Sequence, residues 1–168
     1  MEFLSSQSIR QFFSDAVEQV FNHDFGLNGQ QQIKSYMTDL MIKFVGSEDS
    51  IAPRNWLGEP VLRLTELLEE GDVMANASSF ERERRVHQHI GDHLLFWTGL
   101  FPKGHQVIHI GSDRLIDPIE QGRFSYEIVS LFDLPPHEEE APMFRELSEN
   151  FETYQVGLRQ ISQRLWAA

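Results

Sequence analysis

Apolar residues recur along this chain at steps of three and four, the spacing of one helix face rather than the alternation of a half-buried strand. Ser8 is suited to capping, and Ile9, Phe12, Phe13, Ala16, Val17, Val20 and Phe21 follow it as a wide stripe, which predicts a first helix through about Asp24. Gly26 and Asn28-Gly29 stop it, because both residue types tolerate positive φ. Ile33, Tyr36, Met37, Leu40, Met41 and Phe44 mark a second helix from about Gln30 to Val45, and Gly46 to Ser50 with Pro53 read as a polar connection. A short third helix is predicted from Pro60, with Glu59 favouring its dipole, Val61, Leu64, Leu67 and Leu68 facing inward, and Gly71 ending it.

The fourth and longest helix runs from about Phe80 to Phe101, with candidate caps in Asn76 to Ser79. At 100° per residue, Val86, Ile90, Leu94, Trp97 and Phe101 fall in one narrow stripe, His93 falls within it, and His89 lies at its edge beside Phe96 and Leu100. His87 lies toward the opposite edge. Beyond Asp92 the helix is apolar almost all round, which predicts the most buried segment of the chain. Gly91 and Gly99 share the far face and offer room for a close neighbour, a reason to keep residues that cost about 0.5–1 kcal/mol each in a helix.

Lys103-Gly104 opens a connector whose β-prone run, His105 to Ile110, has no strand partner elsewhere. A fifth helix spans about Asp117 to Phe132, with Ile119, Phe124, Ile128 and Leu131 among its apolar residues, and Pro135-Pro136 breaks it. The last helix, Pro142 to Trp166, carries Phe144, Leu147, Phe151, Tyr154, Leu158, Ile161 and Leu165 as a heptad seam. Such a seam packs inside a bundle or joins two chains as a homodimer, and the absence of sustained e/g charge pairing favours the bundle. The fold expected is all-α: a single-domain bundle of about five or six helices over residues 1–168, with a long buried central helix.

Charge and composition narrow the partners. A net charge of −12 argues against nucleic acid, which requires a basic patch, and against anionic membrane surfaces. The basic run Arg82, Arg84 and Arg85 is interleaved with Glu81 and Glu83 and reads as a solvated face. With no cysteine there are no disulfides, thiolate metal sites or thiol nucleophiles. No secretory signal is read in Met1 to Arg10 and no apolar run reaches the roughly 18–20 residues of a membrane span, so a cytoplasmic protein is expected.

The motif Gly91-Asp92-x-x-Leu95-Phe96-x-x-Gly99-x-Phe101-Pro102, with a later Gly122-x-x-x-Tyr126, resembles an uncharacterised family of bacterial all-helical proteins. Tyr36 and Leu40 fit the same pattern, and the likeness covers most of the chain. It implies the helical fold and brings no catalytic residues; the imidazoles of His89 and His93 depart from it.

Candidate chemistry centres on the fourth helix. His89 and His93, four residues apart, project from one side and form the candidate metal pair, with Asp92 able to orient an imidazole; the alternative is that both are partly buried structural residues. His105 and His109 repeat the spacing, but the Glu-x-x-His and His-Glu-x-x-His patterns of di-iron and zinc sites are missing. No cofactor is therefore predicted. Asp92, if buried, needs a partner, with Tyr126, Arg85 or a helix N-terminus as candidates. It is then either a polar clamp between core helices or a tuned general base. No nucleophile elbow and no glycine-rich phosphate loop occurs. The function expected is a non-enzymatic helical domain working through a protein partner or itself; the alternative is a metal- or small-molecule-binding bundle with its site near His89, Asp92 and His93.

Overall fold

The computed structural model describes residues 6–24, 30–46, 48–100 and 117–167. Its elements are α1 (Ser6–Glu18, widening into a π-helical stretch, Gln19–Asp24), α2 (Gln31–Val45), α3 (Glu48–Ile51), α4 (Leu64–Glu70), α5 (Phe80–Leu100), α6 (Pro118–Ser130), α7 (Ala141–Glu149) and α8 (Phe151–Ala167). The described residues contain no strand, and α5 packs against α2, α4, α6 and α8. The all-α bundle with a buried central helix is the observed fold.

Local chemistry sets the ends of α5 and α6. Ser79 Oγ accepts the Arg82 N–H at 3.1 Å, and Glu81 and Glu83 complement the dipole in the first turn of α5. In α6, Asp117 Oδ1 accepts the Ile119 N–H at 2.9 Å, and Pro118 occupies the first turn, where a missing N–H costs nothing. Val86, Ile90, Leu94 and Leu95 of α5 are fully enclosed. Gly91 and Gly99 do admit close neighbours: a Cβ on Gly91 would meet the Tyr126 ring at 2.6 Å, and one on Gly99 would meet Leu158 Cβ at 2.7 Å. Across the α1–α2 pair, the buried Lys34 ammonium donates to Asn22 Oδ1 at 2.8 Å and pairs with Glu18 at 3.2 Å.

Several expected boundaries move. Ser8 lies inside α1, which starts at Ser6, so it is not the cap. Pro60 does not open α4; it bridges to Arg54 across a turn in which Asn55 Oδ1 accepts the Leu57 and Glu59 N–H groups and Gly58 takes φ 78°. With those amides satisfied inside the turn, α4 begins only at Leu64, although it ends at Gly71 as expected. The polar connection after α2 contains the single turn α3. Gly26, Asn28-Gly29, the Phe101-Pro102 step and the β-prone run with His105 and His109 lie outside the described residues.

The predicted last helix is two. It breaks at Asn150 (φ −117°, ψ 31°), yet Phe144, Leu147, Phe151, Tyr154, Leu158 and Ile161 are all fully buried, so the seam is spent inside the chain. The break is supplied from α6: Arg123 donates from Nε to Ser148 O at 3.3 Å and from Nη2 to Glu149 O at 3.1 Å, while Ser148 Oγ donates to Arg123 O at 2.8 Å. Carbonyls left without intrahelical partners at the end of α7 thereby gain a charged donor.

Candidate functional site

The polar-to-apolar boundary of α5 is a junction of three helices. Asp92 is 2% exposed, and its Oδ1 accepts the hydroxyls of Tyr36 from α2 at 2.5 Å and Tyr126 from α6 at 2.8 Å. Its Oδ2 stands 3.6 Å from Lys43 Nζ, also from α2, and Gln88 Nε2 donates to the Tyr36 hydroxyl at 3.2 Å. The cation at Asp92 is thus Lys43; Arg85 is exposed and is not part of the cluster. Arg85 precedes Asp92 by seven residues and shares roughly its helix face, but the Tyr36 and Lys43 side chains of α2 reach the carboxylate first.

Burial pushes the Asp92 carboxyl above its ordinary value, with Lys43 and the two tyrosyl hydrogen bonds opposing it. Burial and the nearby Asp92 drive both tyrosine hydroxyls well above theirs, so each stays a donor. A general base needs an oxygen that can accept a substrate proton. Here one oxygen holds two hydroxyls and the other faces an ammonium, which makes the cluster a clamp tying α2, α5 and α6.

His89 and His93 do come together, with ring centroids 6.0 Å apart on a floor of Phe44: His89 stacks on it at 6.0 Å and His93 meets it edge-on at 6.2 Å. Burial, then His93, then Lys43 hold the His89 pKa down from 6.5 to about 3, so its ring is neutral at neutral pH. Its Nδ1 is buried with no hydrogen-bond partner among the described residues. Asp92 Oδ1 is turned to the two tyrosines. The described residues contain no group of three or more His, Asp or Glu side chains that could hold a metal ion, so the pair supplies two imidazoles and no third ligand from them.

His87, on the opposite edge of α5, is buried as well: its Nδ1 lies 3.1 Å from Ser125 Oγ, which accepts from Gln121 at 3.0 Å. Sequence reasoning missed this polar contact, together with Lys43 and Gln88 at Asp92. Tyr36 lay on the predicted apolar face of α2, and a tyrosine there signals a hydroxyl in need of a buried partner. Nothing comparable marked Lys43.

A different surface is apolar. Between α1 and α2, Ile9, Phe12, Phe13, Ile42 and Val45 line a groove of about 700 Å³. Phe12 is 56% and Val45 61% exposed at its mouth. No described helix is long and apolar enough to cross a membrane. No protein family, curated protein or solved structure gives a match to the chain.

Proposed function

We propose that this domain works by binding another protein rather than by catalysis, and that the α1–α2 groove is its docking surface. The observation that carries this is the groove itself: five apolar side chains, two of them more than half exposed, contiguous across two helices. Contiguous exposed apolar surface of this kind marks interaction sites. The parallel ridges of two helices suit an amphipathic helix laid between them, with apolar anchors at three- and four-residue spacing. The occupant is a cationic helix of another protein. At −12 per chain, a second copy sets like charge against like, whereas a basic flank is drawn in. The paired state of Asp92 supports the non-catalytic part, since one oxygen accepts two tyrosine hydroxyls and the other faces an ammonium. The Gly91-Asp92 step is, on this proposal, a packing feature, since Gly91 admits the Tyr126 ring and Asp92 accepts its hydroxyl.

The test uses two fluorescent helical peptides with one leucine face, one flanked by lysines and the other by glutamates. Micromolar binding of the lysine peptide, weak binding of the glutamate peptide and loss of the former in Phe12→Glu are expected. Equal binding of both peptides, or no effect of Phe12→Glu, overturns the proposal. Light scattering across micromolar concentrations completes it: a dimer abolished by Phe12→Glu would replace the foreign helix with a second copy.

A further inference from the structure

On the other side of Lys43 lies a small cleft of about 270 Å³ between α2, the end of α3 and α5, and its wall carries several basic side chains. Lys43, Arg82 and Arg85 line it together with Gln88 and His89, and no carboxylate lines it among the described residues. In a chain of net charge −12, three cationic side chains line one cavity while the carboxylates that pair with two of them lie behind it. Two of them are fixed from behind. Lys43 is held by Asp92 at 3.6 Å, while Arg82 Nη2 is bonded to Glu70 Oε2 at 3.2 Å and to the Arg54 carbonyl at 2.5 Å. The third, Arg85, is exposed and acts electrostatically on Glu81, one turn before it on α5. The cleft thus has a pre-positioned pair of charges and an exposed guanidinium, the fork geometry that takes two oxygens of one anion.

His89 adds an independent observation. It is 4% exposed, belongs to the cleft wall, and has a buried Nδ1 with no hydrogen-bond partner among the described residues, although buried polar atoms are nearly always satisfied. The Gln88 side-chain amide on the same wall offers a donor and an acceptor, so a ligand carrying both an anionic oxygen and a hydroxyl suits the cleft. The volume lies just below the roughly 300–1,000 Å³ of pockets for drug-sized molecules, which limits the ligand to something small.

We propose that this cleft binds a small phosphate monoester, with Arg85 and Lys43 holding the phosphoryl oxygens, Arg82 reinforcing their charge, and Gln88 and His89 contacting the organic part. Lys43 and Arg82 are partly balanced by Asp92 and Glu70, so the unbalanced charge is that of Arg85, and all three offer the N–H donors that phosphoryl oxygens accept. The same headgroup chemistry exists free and at a lipid surface. The test therefore has two arms.

Calorimetric titration with inorganic phosphate and with glycerol 3-phosphate, at ionic strength matched with chloride, reads the free source. Vesicles of phosphatidic acid in phosphatidylcholine, against phosphatidylcholine alone, read the lipid source. Binding in the first arm, tighter for glycerol 3-phosphate than for phosphate, is expected. Arg85 is exposed, so Arg85→Gln leaves the fold intact and should weaken binding about tenfold, as loss of one charge-assisted contact does. Arg145→Gln, an exposed surface arginine paired with Glu149, should change nothing. Binding confined to phosphatidic acid vesicles and lost in Arg85→Gln assigns the same site to a lipid headgroup. No binding in either arm, or equal weakening by Arg85→Gln and Arg145→Gln, overturns the site.

Discussion

His89 gives the most quantitative expectation. Its ring is stacked on Phe44, enclosed, and neighboured by His93 and Lys43, which together lower its pKa from 6.5 to about 3. In the unfolded chain the imidazole titrates near its ordinary value, so between pH 6.5 and about 3 the unfolded state binds a proton that the folded state refuses. The contribution of a neutral buried His89 is complete above 6.5 and is lost as the pH falls through that window. At about pH 4.5, two pH units into it, the loss amounts to about 3 kcal/mol, at roughly 1.4 kcal/mol per unit. That is a large share of the roughly 5–15 kcal/mol that holds a domain together. His87, whose pKa is also lowered by burial, acts in the same direction. Asp92 acts in the opposite one, because burial raises its pKa and acidification relieves a folded-state cost.

A comparison with His89→Phe isolates the ring. Phenylalanine keeps a flat side chain against Phe44 and does not titrate, while His87 and Asp92 remain in both proteins. Urea unfolding of each at about pH 7.5 and about pH 4.5 gives two stability changes, whose difference should be about 2–3 kcal/mol in the variant's favour at the lower pH. Stability changes that run parallel within about 0.5 kcal/mol, the level at which independent effects add, would refute the buried neutral imidazole.

Three further changes probe the framework. Gly91→Ala places a methyl 2.6 Å from the enclosed Tyr126 ring, and the overpacking cost of about 1–3 kcal/mol exceeds the gain in helix propensity of up to about 1 kcal/mol, so the Tm followed by circular dichroism should fall by a few degrees. Asp92→Ala strands two tyrosine hydroxyls and Lys43 and should cost about 3–5 kcal/mol in chemical denaturation, whereas Asp92→Asn, which keeps the oxygen that accepts both hydroxyls, should cost clearly less. Arg123→Ala removes the donor at the end of α7; amide exchange should quicken around Asn150, whose N–H bonds Glu146 O at 3.0 Å, while the centre of α5 stays protected.

The helices themselves were legible because their cause is local. The stripe of Ile33, Met37, Leu40, Met41 and Phe44 sits on α2 as predicted, and all five are buried. Gly91 and Gly99 marked a close approach that Tyr126 and Leu158 make. At Asp92 the sequence named Tyr126 correctly, and named Arg85 where Lys43 stands. Both errors of imidazole and cation placement have one origin: a helical wheel fixes which residues share a face, and carries no information on which neighbour covers it. His87 looked peripheral on the wheel, yet α6 brings Ser125 and Phe124 over it.

By itself, then, the sequence determined what depends on nearest neighbours along the chain. The three-and-four spacing set the helices, the capping residues Ser79 and Asp117 set two of their starts, and the apolar run after Asp92 set the central position of α5. Only the tertiary structure decided what depends on residues far apart. Arg123 caps the end of α7 from another helix, Tyr36, Tyr126 and Lys43 converge on one carboxylate, and Lys43 joins Arg82 and Arg85 around a cleft that a net charge of −12 conceals. The physical reason is that hydrogen bonds and charge pairs act over a few ångströms in space, while periodicity records order only along one helix.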